Sequence, residues 1–397
     1  MNARIYLLAL GTFALGTDLF VIAGVLPAIA HDTGVDVNVA GLLVTVFALV
    51  YGFAAPTLAA LTETVSRRTL LLVVLLGFCI ANVCSAIAPT FPVLMATRIV
   101  AACFAALFTP TATATAAALA APERRGQALG IVLGGGNIAT ILGVPIGTSL
   151  GLRLGWRATF LFVALLAGLA FISLLTIRLK DVPAAPILGI RARIAPLFRP
   201  SLLLALLPIA FSTFGVWTTY TYVAPFLAQH THISDPSLML FVYGAGGVVG
   251  SWLGGYLVDR LGPARPIVFG LIVLIAVYIT LPFTASTILG AVFALALWGI
   301  FGTVLFAPQQ HRMLSLTPTL PTVILALNSS VIYLGAAGGS AIGSLVLAHG
   351  SLSTLPPISA VLTTVSLVFF ALSILNSLQQ TRKNASSLTQ APVHGAK

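Results

Sequence analysis

The sequence predicts an all-α integral membrane protein with twelve transmembrane helices in two pseudo-symmetric six-helix bundles. Three observations carry that prediction. The 397 residues are 59% apolar and 7% charged, with a mean hydropathy of +1.09. One water-soluble core cannot hide that much nonpolar surface, so lipid must act as solvent. The apolar residues fall into runs long enough to cross a hydrocarbon layer about 30 Å thick, which takes about 20 helical residues. The cations between those runs gather on alternate loops, as they do when short cytoplasmic loops retain Lys and Arg.

Twelve runs meet the length, at residues 5–30, 38–61, 69–88, 92–120, 127–151, 158–177, 201–228, 237–258, 266–285, 287–308, 322–348 and 356–376. The first ends in Ala28-Ile29-Ala30, which resembles a signal-peptidase site. The run is longer than a signal core and Asp18 interrupts it, so it is read as a retained helix. With the N-terminus inside, every Lys and Arg except Arg98, Arg153 and Arg157 falls at the inner side. That bias supports both the count of twelve and a multi-pass protein of the cell (inner or plasma) membrane with both termini cytoplasmic. The net charge of +11 is scattered singly or in pairs between apolar runs. No continuous basic face can be assembled, which excludes nucleic acid as a partner. Cys79, Cys84 and Cys103 lie in apolar runs without a histidine or carboxylate at ligand spacing. They are read as small packing residues, with no disulfide framework, no metal and no cofactor implied.

The chain repeats itself. Ala59-Ala60-Leu61-Thr62-Glu63-Thr64-Val65-Ser66-Arg67 lines up with Gly255-Tyr256-Leu257-Val258-Asp259-Arg260-Leu261-Gly262-Pro263, and the same offset carries Gly143 and Gly147 onto Gly339 and Gly343. Two matches at one offset argue for a duplicated six-helix unit. Residues 1–177 and 201–378 are then the two bundles. Residues 178–200, with Pro183, Pro186 and Pro196, read as a cytoplasmic linker, and residues 379–397 as a polar, disordered tail. Parallel repeats of this kind build one group of secondary transporters, whose substrate site lies between the halves near mid-membrane.

The pattern resembles the major facilitator superfamily, in particular its twelve-span drug/proton antiporters and arabinose-efflux-like permeases, over essentially the whole chain. The residues carrying the resemblance are Gly16-Thr17-Asp18 with Leu26-Pro27, Arg98, Gly143-Val144-Pro145-Ile146-Gly147 before Gly155-Trp156-Arg157, and Gly255, Leu257, Asp259, Arg260 and Gly262. Departures are Ala59, Glu63 and Ser66 where the family usually has Gly, Asp and Gly, the lack of the usual Gln and Gly after Arg98, and Val144 between Gly143 and Pro145. The resemblance implies a monomeric transporter and a role for Arg98 in proton coupling or in the cavity.

Of the eight acids, Asp18 alone is placed inside a span. It lies about 20 Å from Ile5 and about 18 Å from Ala30 along the helix, close to mid-membrane. A charged acid there costs on the order of 3 kcal/mol on insertion scales, so it should face the bundle interior or a wet cavity. Desolvation favours its protonated form and a nearby cation favours its ionised form, which lets an acid with alternating access carry a coupling proton. Arg98 reads as the only cation within a span. Its partner is Asp18, a set of backbone or hydroxyl groups, or an anionic cargo.

The seventh span is rich in rings and hydroxyls, and Phe214 and Trp217 fall on one helix face with Thr213 and Tyr220 on an adjoining one. Such a helix can line a cavity for flat apolar molecules, although Tyr220 also suits an interfacial anchor. Asn137, Asn328 and Gln309 are polar groups in or near spans that suit helix-to-helix hydrogen bonds or cavity contacts. Glycines at every fourth position, Gly143 to Gly151, Gly246 to Gly254 and Gly335 to Gly343, form ridges for close helix approach. These ridges are read as a sliding interface between the halves, with Pro145 kinking the fifth helix. Asp259 with Arg260, and Glu63 with Arg67 and Arg68, are read as inner-surface ion pairs that bias gating.

The functional expectation is a secondary active transporter that exports small, mostly apolar compounds in exchange for protons by alternating access. The alternative is a sugar or metabolite efflux permease. An enzyme is not expected, because no nucleophile, base and electrostatic stabiliser converge. A channel is disfavoured by the two pseudo-symmetric halves and the lack of a repeated filter-like loop. No phosphate-cradling Gly-Lys-Ser/Thr loop is present, so ATP is not expected to drive the cycle.

Overall fold

The computed structural model describes residues 3–62, 64–121, 124–176, 200–316 and 321–389. Among the described residues twelve helices are long and apolar enough to cross a membrane: α1 (Arg4–Thr33), α2 (Val37–Leu58), α3 (Arg67–Ala86), α4 (Phe91–Leu119), α5 (Arg125–Leu154), α6 (Trp156–Thr176), α7 (Leu202–Tyr220), α8 (Ser237–Leu261), α9 (Ala264–Thr284), α10 (Ile288–Ser315), α11 (Ile324–His349) and α12 (Leu352–Asn376). An even number of crossings among the described residues puts the start of α1 and the end of α12 on one side, named the terminal face; the other is the far face.

The packing repeats with a shift of six helices. In the first half α1 packs on α5 and α6, α3 on α4 and α6, and α2 on α4. In the second half α7 packs on α11 and α12, α9 on α10 and α12, and α8 on α10. The halves meet through α2 with α11 and through α5 with α8, a pair of contacts that exchange under the same shift. The duplication visible in the sequence is therefore also a duplication of contacts.

Several helices depart from a plain rod: α2 breaks at Gly41, α10 turns at Leu305, and α7 and α5 depart further. The seventh apolar run does not continue as one helix to residue 228: α7 stops at Tyr220, the chain turns at Thr221 and Tyr222, and a short helix spans Val223–Thr231. Pro225 explains the break, since it has no N–H to bond the Thr221 carbonyl and its ring would crowd that group. In α5 a π-helical turn covers Ala139–Gly143, with Pro145 in the first turn of the α-helix that follows. The kink expected at Pro145 thus takes the form of a widened turn, which frees the carbonyls that the proline cannot engage. At the far end of α5, Gly155 adopts φ 90°, a left-handed conformation that makes the tight corner into α6.

The glycine ridges are close-packing surfaces, but they are not the interface between the halves. A side chain at Gly143 or Gly147 would run into Thr17 or Val21 of α1. One at Gly246 or Gly254 would come within 2.5 Å of the Ala296 or Val304 carbonyl of α10, and one at Gly339 within 2.5 Å of the Phe214 carbonyl of α7. Each ridge seats one helix of a half against another helix of the same half. The glycines that face across the halves are others: Gly41 against Tyr222, Gly52 against Leu334, and Gly244 against the Thr140 backbone. Spacing every four residues marks close approach without saying which neighbour approaches.

At the terminal face the expected Asp259–Arg260 pair is not formed. Both residues are exposed, and the Arg260 guanidinium stands 4.7 Å over the Tyr256 ring. A cation next in sequence to an acid on a helix points to a different face, and the ring one turn back offers it an alternative. Arg67 donates to the Ala114 carbonyl of α4 at 3.1 Å; Glu63 and the linker residues 177–199 lie outside the described residues. The helix of α12 runs on to Thr389, so the first part of the polar tail, 379–389, is helical rather than disordered. No glycine or proline interrupts the sequence there before Pro392.

The adjacent glycines of α8 give a paired test. Gly254→Val should lower the thermal midpoint of the detergent-purified protein by several degrees, from an overpacking cost of about 1–3 kcal/mol. Gly255→Val, with nothing within 4 Å of its added carbon, should leave the midpoint nearly unchanged; equal effects would contradict the packing described.

Candidate functional site

The hydrocarbon interior contains one ion pair among the described residues. Arg98 Nη1 of α4 donates to Asp18 Oδ1 of α1 at 2.8 Å, and both side chains are fully buried. The guanidinium lies 4.4 Å from the centre of the Phe47 ring of α2 and 5.5 Å from that of Phe160 of α6. Four helices of the first half thus form one cage, charged at its centre and aromatic at its walls. Of the partners open to Arg98, the structure supplies the carboxylate. Asp18 Oδ2 and Arg98 Nε and Nη2 make no hydrogen bond among the described residues.

A cavity of about 310 Å³ lies between the halves. The first half contributes Leu15, Gly16, Leu19 and Phe20 of α1, Thr109 of α4 and Gly136, Asn137 and Thr140 of α5; the second contributes residues from each of α7 to α12. Asp18 is not on the wall, although its neighbours on α1 are. The widened turn of α5 touches both sides of this arrangement: Ala139 abuts Gly16, and the Thr140 carbonyl abuts Gly244 of α8. One short segment of α1 therefore presents the ion pair to its own bundle and a wall to the cavity.

The far face is sealed above the cavity. Ser340 Oγ of α11 donates to the Gly41 carbonyl at 3.0 Å, Ser344 Oγ donates to the Asn38 carbonyl at 2.9 Å, and Tyr222 Oη reaches the same Asn38 carbonyl at 3.4 Å. Phe20 stacks on Trp217 with ring centres 5.1 Å apart, and Tyr51 stacks on Tyr333 at 3.5 Å. These cross-half contacts run from the far face to mid-depth. Cavity residues such as Ile267, Phe306 and Gln309 continue toward the terminal face. Asp32 adds a clasp within the first half, accepting from Trp156 Nε1 at 2.9 Å and pairing with Arg157. Arg157 also donates to the Ala88 carbonyl at 3.3 Å.

The residues expected to bind substrate divide. Trp217 and Asn137 line the cavity. Phe214 does not: it packs over Gly338 of α11 and edge-on to Phe211 at 5.3 Å. The α7 face toward the cavity is Pro208, Ile209, Ser212, Thr213, Val216 and Trp217, so Trp217 groups with Thr213 and not with Phe214. Tyr220 is buried behind that wall in a cluster with Tyr243 and Trp298, at ring distances of 5.0 and 6.3 Å. It is neither an interfacial anchor nor a wall residue. Asn328 is buried and off the wall, whereas Gln309 is on it while also donating to the Ala205 carbonyl at 2.9 Å.

Sequence reasoning missed Phe20, Tyr243 and Tyr333 as wall residues and placed Arg312 in an inner loop. Arg312 is buried inside α10, not in a loop, so Arg98 is not the only cation within a span. It donates to Ser373 Oγ at 2.6 Å and stands 4.7 Å over the Phe370 ring, both on α12. The apolar Met313 and Leu314 immediately after it were the available signal that the helix continues. This placement generates a test on α7: Trp217→Ala should weaken binding of flat aromatic compounds about tenfold or more, measured by equilibrium dialysis. Phe214→Leu should leave the affinity within about twofold, and the reverse ranking would move the binding face to the Phe214 side of the helix.

Residues 8–340 match the model of the Major Facilitator Superfamily. A chloramphenicol resistance protein of Streptomyces lividans is 35% identical, over 88% of this chain and 90% of that protein. The inner membrane transport protein YdhP of Escherichia coli is 31% identical over 94% of this chain and 96% of that protein. A relative named "Probable sugar efflux transporter" from Pasteurella multocida is 31% identical over 93% and 92%. Twelve membrane-length helices in two six-helix halves, a cavity between them and a family match over most of the chain lead to one conclusion: this protein is a membrane transporter belonging to the major facilitator superfamily.

Proposed function

We propose that this transporter exports small, mostly apolar compounds in exchange for protons by alternating access, with Asp18 as the proton carrier and Arg98 as its partner. The observation that carries the reading is the 2.8 Å ion pair buried on the reverse side of the helix that walls the cavity. Separating a buried pair by movement alone leaves an uncompensated charge, at a cost of about 3–5 kcal/mol. That disfavours the separated state roughly a hundredfold or more. A proton taken up from the far side neutralises Asp18 and leaves the guanidinium to the Phe47 and Phe160 rings, so return of the emptied carrier to the paired state is tied to inward proton movement, while cargo from the terminal side drives the outward switch. The state described here, sealed at the far face with the pair intact, is the deprotonated one that receives cargo from the terminal side. We assign the terminal face to the cytoplasm on the distribution of Lys and Arg, and treat the protein as a monomer whose two six-helix units move as bodies.

The ring-lined wall and the chloramphenicol resistance relative support drugs and related aromatic compounds as cargo. A second reading, sugar or metabolite efflux, is supported by the relatives named for sugar efflux and by the hydroxyl and amide groups on the wall. A compound-sensitivity screen in a pump-deficient host, with and without this chain, separates the two.

In proteoliposomes, exchange should accelerate when the far side is made more acidic than the terminal side. Asp18→Asn should abolish that dependence while the protein still inserts; a variant that keeps the full pH-gradient dependence refutes the proton role.

A further inference from the structure

The buried charges of the described spans do not cancel. Asp18 is neutralised by Arg98 at 2.8 Å, inside its own bundle and off the cavity wall. Arg312 remains, fully within α10, and its partners are neutral: Ser373 Oγ and the face of Phe370. Its Nη1 has no hydrogen-bond partner among the described residues. It sits three residues past Gln309, which is on the cavity wall, and therefore lies just beyond the terminal end of that wall.

The described wall itself carries no acid and no base. Its polar groups are hydroxyls and amides, among them Asn137, Thr140, Ser212, Tyr243, Thr303 and Gln309. A permanent cation entering this space gives up its water, finds no carboxylate in exchange, and meets the positive field of Arg312. Aromatic faces could compensate, but Trp217 is already stacked on Phe20 and met edge-on by Tyr220 at 5.4 Å. A neutral molecule loses little by entry and can use both the rings and the hydroxyl and amide groups.

We propose that the cavity takes uncharged molecules combining a flat apolar part with hydroxyl or carbonyl groups, and rejects permanent cations. This deepens the export reading and rests on the cavity being its cargo site. The selectivity is set by the protein's own charge placement, because the one acid buried within the described spans is held by Arg98.

The test is equilibrium dialysis of the purified protein in neutral detergent at alkaline pH, with chloramphenicol as the neutral probe and tetraphenylphosphonium as the permanent cation. The wild type should bind chloramphenicol at least about tenfold more tightly than the cation. Asn137→Asp, and Ser212→Asp as an independent second site, should each strengthen cation binding about tenfold or more and weaken the preference for the neutral probe. Equal or tighter binding of the cation by the wild type overturns the proposal, as does binding of neither probe. Failure of both folded acidic variants to gain cation affinity also overturns it. No gradient exists in detergent, so this outcome is independent of the proteoliposome result that judges proton coupling by Asp18.

Discussion

A carboxylate and a guanidinium in contact inside hydrocarbon constrain the first half of this protein more tightly than any other interaction. Neither charge could stay in the membrane alone at moderate cost, so α1 and α4 must be held in the register that brings Asp18 to Arg98. Phe47 and Phe160 then close the cage from α2 and α6, supplying ring faces to the cation and excluding water. Because Leu15, Gly16, Leu19 and Phe20 of the same α1 segment form cavity wall, the state of the ion pair and the shape of the cavity cannot be set independently.

The two halves share their contact pattern but not their chemistry. The sequence offset that superimposes the repeats places Phe214 opposite Asp18 and Ala294 opposite Arg98, so the second half has an apolar counterpart of the charged cage. Phe214 fills its place by lying over the glycines of α11, and Ala294 is buried in the core of α10. Beside the cavity the second half has an aromatic cluster in which Tyr243 of the wall is backed by Tyr220, Tyr278 and Trp298. The division follows: the first half contains the buried carboxylate–guanidinium pair, and the second half supplies most of the rings and hydroxyls of the cavity wall. Hydroxyl-to-carbonyl bonds at Asn38 and Gly41 join the halves on the far side, interactions strong enough to define a closed state and weak enough to break.

Much of the fold was legible in the sequence because membrane crossing imposes a length and a polarity that any helix must satisfy. Asp18 and Arg98 were legible for the same reason, since charge at that depth is costly. What the sequence did not disclose was orientation about each helix axis. Phe214 and Trp217 share a spacing, yet only Trp217 faces the cavity, because the neighbour of each face is fixed by packing across the chain. The glycine ridges show the same limit: their spacing announced close approach, while the partner proved to be within the half. Arg312 was misread because a single cation near the end of an apolar run looks like a loop residue until the helix is seen to continue to Ser315. The break after Tyr220 did have a sequence signal, in Pro225, which matters because it turns Tyr222 toward α2.

The tie between protonation of the buried carboxyl and opening of the far face is most directly observed by infrared difference spectroscopy of the carboxylic-acid carbonyl, recorded alongside a spin-label distance across the Gly41–Ser340 contact as pH is lowered. The account predicts that a new protonated-carboxyl band, missing in Asp18→Asn, rises over the same pH interval in which that distance lengthens. Lengthening without any change in the band, or the band appearing while the far face stays shut across the whole titration, would contradict it.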